Sequence, residues 1–149
     1  MAKKTYKGRA ILPGELTGKA LVSREPFNTT VSYLNNMFAG VTDKAICTDS
    51  DNHELYKKDL SGMILCTPQT IGSTLGGCAL MGVAELGVGP KAMLFSDHID
   101  SLSASGLLME NIWNDKLIIT IDQLGDKFMK AVNTGDPITI KKDGTVEVG

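Results

Sequence analysis

A glycine-rich loop carries the side chains of this sequence that are best suited to chemistry. Residues 72–77 read Gly-Ser-Thr-Leu-Gly-Gly, so the hydroxyl groups of Ser73 and Thr74 lie among three glycines. A helix is predicted to begin here, and the free N–H groups and positive dipole of a helix start favour an anion. The glycines Gly72, Gly76 and Gly77 would let a ligand approach closely. The pattern predicts a carboxylate-sized anion site beside a serine, although from these residues alone a helix cap is the favoured interpretation.

A second polar loop, residues 96–101, follows an apolar run and reads Ser-Asp-His-Ile-Asp-Ser. Ligands of open α/β sheets gather at the carboxyl ends of strands, which is where this loop is expected to lie. His98 could shuttle protons, but the simpler interpretation makes it an ordinary loop residue and Asp97 or Asp100 a helix cap. Asp100 and Ser101 stay open between a structural role and contact with a substrate.

Three apolar runs of strand length, at residues 63–66, 92–95 and 117–121, are each followed by a helical pattern. Strand–helix units in series favour a parallel sheet covered by helices. The helices are predicted at about 75–86, 102–113 and 123–132. In the second of them Leu107, Leu108 and Ile112 are expected to point inward and Glu110 outward.

Both ends of the chain are predicted to form strand pairs. Residues 7–12 and 18–23 flank Pro13-Gly14, and residues 138–141 and 145–148 flank a tight Asp143-Gly144 turn. A further short strand is predicted at 41–47. The fold class is therefore α/β: one domain over residues 1–149, with a central mostly parallel sheet, flanking helices, and terminal hairpin strands in a second small sheet.

Composition and charge exclude several functional classes. The net charge is −2 and the basic residues are scattered, so a nucleic-acid surface has no support. The apolar runs are too short to span a bilayer, and the N-terminal residues 1–10 lack the apolar segment of a secretion signal. The prediction is a cytoplasmic protein with neither nucleic acid nor membrane as a partner.

The three cysteines, Cys47, Cys66 and Cys78, form no CxxC motif. An odd number without tight spacing argues against a disulfide framework and against a metal site held by this chain alone. Cys66 and Cys78 lie in apolar stretches and are predicted to be core residues.

Over nearly all of its length the chain resembles the small, swivel-domain subunit of the aconitase X group of hydro-lyases. The motifs that carry the resemblance are Gly8-Arg9, Leu12-Pro13-Gly14, residues 18–23, Leu60-Ser61-Gly62, Gly72-Ser73-Thr74 and Thr134-Gly135-Asp136. The resemblance implies a swivelling β/β/α fold and a large partner subunit that holds an iron or iron–sulfur cofactor. It also implies that Ser73 corresponds to a serine proposed as the catalytic base.

Position 71 differs from some members of this group. Those that act on phosphomevalonate commonly carry an arginine there, whereas this chain has Ile71. The stretches 70–77 and 94–102 look more like members that dehydrate cis-3-hydroxy-L-proline. The resemblance therefore implies a small hydroxy acid as substrate, with cis-3-hydroxy-L-proline preferred and phosphomevalonate as the alternative.

Dehydration of a β-hydroxy acid needs a base for the proton beside the carboxylate and an acid that helps hydroxide leave. Ser73 would be the base, and its hydroxyl needs positive surroundings, from the helix start, the partner, Arg9 or Lys19. The substrate would contact the loop and the second polar segment; these candidate residues are Gly72, Thr74, Gly76, Gly77, Asp100 and Ser101. A competing class is a non-catalytic swivelling ligand-binding or carrier domain, but a phosphohistidine carrier needs a histidine that this glycine-rich loop lacks.

Overall fold

The computed structural model describes residues 2–149 of the chain. Its strands are Lys4–Lys7 (β1), Arg9–Leu12 (β2), Leu16–Val22 (β3), Phe27–Asn28 (β4), Ile64–Thr67 (β5), Thr70–Ile71 (β6), Ala92–Phe95 (β7), Ile119–Asp122 (β8), Pro137–Ile140 (β9) and Thr145–Val148 (β10). Its helices are Thr29–Ser32 (α1), Leu34–Phe38 (α2), Gly76–Glu85 (α3), Ser101–Asn114 (α4) and Asp126–Ala131 (α5). No helix within the described range is long and apolar enough to cross a membrane.

One mixed sheet contains eight of these strands in the order β1-β10-β9-β3-β5-β7-β8-β2. The central strands β3, β5, β7 and β8 are parallel, which confirms the predicted parallel sheet. Every side chain of β5, β7 and β8 is buried, as expected for strands that are covered on both faces. A separate parallel pair, β4 with β6, joins Phe27 to Thr70 and Asn28 to Ile71.

The strand β3 connects two layers. Its first half, Leu16–Lys19, pairs with β9, and its second half, Ala20–Val22, pairs with β5. Side chains from β9, β10 and α5 share one apolar core with the central strands. The helices α3 and α4 share the other core, with Leu65 and Met93 from the opposite face of the sheet. The layering is β/β/α, and the predicted second small sheet is continuous with the central one through β3.

The predicted strand pair at residues 7–23 is wrong. β2 pairs antiparallel with β8 at the outer edge of the sheet, while β3 lies four places away in the strand order. The segment 41–47 is also not a strand, since it forms only an isolated bridge between Ile46 and Asp59. Its carbonyl groups at Val41 and Lys44 instead accept hydrogen bonds from the Asn36 amide.

The helix α4 is rotated relative to its predicted orientation. Glu110 is buried, with 2% of its surface exposed, whereas Ile112 is 67% exposed. The buried positions are Ser103, Gly106, Leu107 and Glu110. Small residues at 103 and 106 let α3 approach closely, and this contact, rather than the distribution of leucines, fixes which face of α4 is buried.

Candidate functional site

Ser73 lies in an exposed segment, residues 72–75, between β6 and α3. This segment is at the carboxyl ends of the parallel strands, where open α/β sheets bind ligands. The Oγ atom of Ser73 accepts a hydrogen bond from the Leu75 N–H (3.1 Å) and lies 3.2 Å from Oγ1 of Thr30. The Ser73 carbonyl accepts the N–H of Gly76 at 3.0 Å. Ser73 is thus a surface hydroxyl held by at least two neighbours.

Neither Ser73 nor Thr74 is the N-cap of α3, so this prediction is wrong. The helix begins at Gly76, and its N-cap, Leu75, forms no side-chain hydrogen bond. Ser73 instead sits in the preceding turn and binds the N–H of the N-cap residue itself. Its hydroxyl oxygen therefore lies outside the helix, where a substrate can reach it.

Residues 28–30, which the sequence analysis did not single out, form the second side of the site. Asn28 caps the short helix α1 by accepting the Val31 N–H at 3.1 Å. A Cβ atom added to Gly72 would lie 2.9 Å from Oδ1 of Asn28 and 3.5 Å from Oγ1 of Thr29. Asn followed by two threonines is a recognisable helix-cap signal, but nothing in the sequence shows that it faces residue 73.

The glycines that open α3 are explained by packing. Gly76 and Gly77 are buried, and a Cβ on Gly76 would overlap Oγ1 of Thr29. A Cβ on Gly77 would overlap the carbonyl oxygen of Leu102. The predicted role of these two glycines in binding substrate stays a prediction, and it would have to use their backbone atoms.

Asp100 is the N-cap of α4 and accepts hydrogen bonds from the N–H groups of Leu102 (2.9 Å) and Ser103 (3.0 Å). It also accepts one from the hydroxyl of Thr70 in β6. Burial acts to raise the pKa of Asp100, but the hydrogen bonds from Thr70, Ser103 and Leu102 outweigh it and hold the pKa below its usual value. Asp100 therefore joins α4 to the strand that leads into the Ser73 loop. Ser101 is exposed beside it.

The other polar residues of this edge line two open hollows. One, of about 530 Å³, is lined by Gln69, Ser96, Asp97, His98 and Gln123. The other, of about 300 Å³, lies beside Ile71 and is lined by residues that include Glu25, Asn28, Asp49, Asp51 and Asn52. The second hollow has three carboxylates and no lysine or arginine in its described wall. Ser73 lines neither hollow, so the structure does not bring His98 to it.

Arg9 and Lys19 are the two cations of this chain that the sequence suggests as positive surroundings for the Ser73 hydroxyl. The Arg9 guanidinium forms two hydrogen bonds with Asp122, at 2.9 and 2.7 Å. The hydrogen bond and the charge of Asp122 raise the pKa of Arg9. Asp122 is completely buried and also accepts the Ile99 N–H at 3.0 Å. Lys19 lies in the half of β3 that pairs with β9. Arg9 is therefore engaged with Asp122, and Lys19 lies on the half of β3 that leads away from the loop.

A metal centre is not supported by the donor atoms of the described chain. No group of three or more His, Cys, Asp or Glu side chains between residues 2 and 149 could hold a metal ion. Cys47 and Cys66 are buried, and burial raises the pKa of both thiols. Cys78, predicted to lie in the core, is exposed because it is on the outer face of α3. These residues do not fit an iron or iron–sulfur group.

A sequence model of the aconitase X swivel domain family matches residues 5–148. The chain belongs to this family. Among curated relatives, the phosphomevalonate dehydratase small subunit of Archaeoglobus fulgidus is 31% identical over 94% of this chain and 95% of that protein. The protein of the same name from Methanocaldococcus jannaschii is 30% identical over 87% and 92%.

The chain is also similar, at lower identity, to a protein with another named substrate. The cis-3-hydroxy-L-proline dehydratase of Hypocrea jecorina is 28% identical over 78% of this chain, which corresponds to 18% of that protein. The crystal structure of holo-form aconitase X from Thermococcus kodakaraensis superposes with a TM-score of 0.80, at 23% identity and 98% coverage of both chains. This similarity confirms the predicted swivel-type fold.

Proposed function

We propose that this chain is the small subunit of an aconitase X-type hydro-lyase, which dehydrates a small hydroxy acid together with a large subunit. Two relatives that match almost end to end are named small subunits of a dehydratase. The observation that carries the proposal is the position of Ser73: exposed at the carboxyl edge of the sheet, with its oxygen held by the Leu75 N–H and beside Thr30.

In the proposed reaction Ser73 accepts the proton from the carbon beside the substrate carboxylate. A serine hydroxyl is a poor base at neutral pH unless hydrogen bonds stabilise its anionic form. The Leu75 N–H is one such donor and is already in place at 3.1 Å. Loss of the substrate hydroxyl is assigned to the large subunit, which would hold the iron or iron–sulfur cofactor.

We assign the proposed contacts to the substrate carboxylate by the exposure of each candidate residue. Gly72 and Thr74 are exposed on either side of Ser73, and Ser101 is exposed at the start of α4. Gly76 has its N–H bonded to the Ser73 carbonyl, and Gly77 is buried against α4. Asp100 is already bonded by the α4 backbone, and its negative charge would repel a carboxylate, so we assign it the task of positioning the loop.

The large subunit is proposed to cover this side of the chain. Ile71, Leu75 and Leu102 are 44%, 44% and 42% exposed around the Ser73 loop. Apolar side chains around a one-sided site suit a subunit contact. Leu75→Asp should weaken binding of a co-expressed large subunit at least tenfold, while Leu117→Asp, with a similarly exposed leucine at residue 117, should not. Equal effects of the two changes would refute this location.

Phosphomevalonate is the substrate that the curated relatives favour, since four of them carry that name at 30–31% identity. A second candidate, cis-3-hydroxy-L-proline, is favoured by one observation. Ile71 lies in a hollow with Glu25, Asp49 and Asp51, and these charges would repel a phosphate but attract the cationic ring nitrogen of an imino acid.

One experiment tests the activity and the substrate together. The chain is purified as a complex with its large subunit and assayed for dehydration of each substrate. Ser73→Ala should lower turnover by at least about a hundredfold, while assembly and metal content remain normal. Thr17→Ala, which removes the hydroxyl of an exposed threonine in the half of β3 that pairs with β9, should leave turnover unchanged. Near-normal turnover in Ser73→Ala would rule out Ser73 as the base.

A further inference from the structure

A second hydroxyl stands beside the proposed base. Oγ1 of Thr30 lies 3.2 Å from Oγ of Ser73, and either group can donate the hydrogen bond. The two residues come from different elements, because Thr30 belongs to α1 and Ser73 to the loop before α3. The contact therefore depends on how these elements are held together.

Three interactions hold the Thr30 segment against the loop. The strand β4 pairs with β6, so Asn28 lies opposite Ile71, one residue before Gly72. Asn28 caps α1 and so fixes the backbone that carries Thr30. Thr29 is completely buried, and a Cβ on Gly76 would overlap its Oγ1. Within residues 2–149 the Thr29 hydroxyl has no hydrogen-bond partner, so close packing rather than hydrogen bonding holds it there.

The direction of the Thr30–Ser73 hydrogen bond depends on the state of Ser73. A protonated serine can donate to Thr30, whereas an alkoxide can only accept. In the anionic state both the Thr30 O–H and the Leu75 N–H donate to the same oxygen, in the manner of an oxyanion hole. Hydrogen bonds to a charged oxygen are about twice as strong as neutral ones, so this arrangement favours the anion.

The charged groups in the surroundings of this oxygen include three carboxylates, Glu25, Asp49 and Asp51, which line the hollow beside Asn28 and Ile71. The elements in contact with the loop are β4, α1 and the first turn of α4. On them Asp100 is titratable, and its carboxylate is already hydrogen-bonded by Thr70, Leu102 and Ser103. Cys78 on α3 is also titratable and exposed, and it is removed in the titration experiment described below.

We propose that Thr30 is a positioning residue, whose hydroxyl orients Ser73 and stabilises its anionic form through the hydrogen bond between their side chains. This inference rests on the proposed function of Ser73 as a base. It adds a residue that acts through Ser73, 43 positions away in the sequence.

The first test needs no turnover. In a Cys78→Ala background, the pKa of a Ser73→Cys thiol is measured in the full chain from the pH dependence of its alkylation by iodoacetamide; Cys47 and Cys66 are buried and protected. Adding Thr30→Val should raise that pKa by about one to two units, because it removes a donor to the thiolate. Thr30→Ser should leave the pKa within a few tenths of a unit, as should Thr139→Val in β9.

The second test uses the complex with the large subunit. Thr30→Val should lower kcat about ten- to a hundredfold with little change in KM, and should move the rise of activity to higher pH. Thr30→Ser should restore both. An unchanged thiol pKa in Thr30→Val, or a kcat that Thr30→Ser does not restore, would overturn the inference. Normal turnover of Ser73→Ala would instead overturn the proposed function, and the thiol titration would still decide whether Thr30 acts on position 73.

Discussion

Gly77 of α3 and Gly106 of α4 meet backbone to backbone. A Cβ on Gly106 would stand 2.6 Å from the Cα of Gly77, and a Cβ on Gly77 would stand 3.4 Å from the Gly106 nitrogen. No side chain lies between the helices at this point, so their separation is set by the main chain. Both helices begin at the candidate site, α3 just after Ser73 and α4 just after Asp100. The glycine contact therefore also sets the distance between these two site residues.

Gly106→Ala should destabilise the chain. A methyl group here cannot avoid the Gly77 backbone, so the helices must move apart, and overpacking of this kind costs about 1–3 kcal/mol. Urea denaturation of the purified chain measures the loss. Gly82→Ala is the matched control, because Gly82 is an exposed residue of α3 whose Cβ would meet nothing within 4 Å.

The control should show the opposite sign. Alanine is a better helix former than glycine by roughly 0.5–1 kcal/mol, so Gly82→Ala should stabilise the chain. If Gly106→Ala were as stable as Gly82→Ala, the helices would have room that the structure does not show.

Gly72→Ala should disturb the Ser73 loop. Gly72 has φ +138°, where other residues are strained, and an added Cβ would be 2.9 Å from Oδ1 of Asn28. Strain of this kind costs about 1–3 kcal/mol, and relief requires the loop to move away from residues 28–30. Turnover of the complex should fall more than stability accounts for, because Ser73 is the next residue.

Gly40→Ala is the control that separates the effect of backbone strain from the effect of the contact between the added Cβ and Asn28. Gly40 also has a positive φ, +71°, but its Cβ would meet nothing within 4 Å. It should cost some stability and leave turnover unchanged. Full activity in Gly72→Ala would show that the loop position does not control the reaction.

Truncation of Arg9 and truncation of Asp122 should destabilise the chain by different amounts. Asp122→Ala leaves the half-exposed Arg9 free to meet water but deprives the buried Ile99 N–H of its acceptor, which costs about 1–3 kcal/mol. Arg9→Ala leaves a buried carboxylate without its counter-ion and should destabilise the chain more. Urea midpoints of both variants measure the order. Lys7→Ala, which breaks an exposed pair with Asp143, should change the midpoint little, and the reverse order for the first two would refute the argument.

Local patterns predicted the elements well. The three apolar runs are strands β5, β7 and β8, since fully buried parallel strands require continuous apolar side chains. The same reasoning placed the polar loop at residues 96–101 at the carboxyl end of a strand, and it follows β7 in the structure. Which strands pair across long sequence separations could not be predicted. β2 and β3 are close in sequence and suited a hairpin, but β2 pairs with the distant β8. Only the buried Asp122, which binds Arg9, shows why β2 pairs with β8.

The rotation of α4 and the residues around Ser73 were missed for related reasons. Leucine spacing predicted the buried face of α4, but the Gly77–Gly106 contact decided it. Thr30 was missed because its contact with Ser73 depends on the two-residue strands β4 and β6, which are too short to leave a periodic signal. Sequence patterns report what each element buries, and they say little about which side chains meet between elements.

Glu110 should make stability fall as the pH rises. Burial raises its pKa above the ordinary 4.5; the nearby carboxyl of Glu85 adds to this, while the Asn114 amide and Lys116 oppose it. The folded state therefore holds a proton that the unfolded state releases at lower pH. The favourable contribution is complete below pH 4.5 and is lost as the pH rises through the raised value.

Glu110→Gln should remove this loss and stabilise the chain at pH 7. A neutral amide has no charge to desolvate and can donate to Glu85, whereas Oε1 of Glu110 is buried without a partner among the described residues. The expected gain is roughly 1 kcal/mol, a rise in Tm of about 2–4 °C. Thermal unfolding at pH 4 and pH 7 measures it: the variant should gain at pH 7 and not at pH 4. Glu15→Gln, at an exposed glutamate, should gain at neither. A Glu110→Gln chain that is less stable at pH 7 would mean that the ionised carboxylate, and not its proton, stabilises the fold.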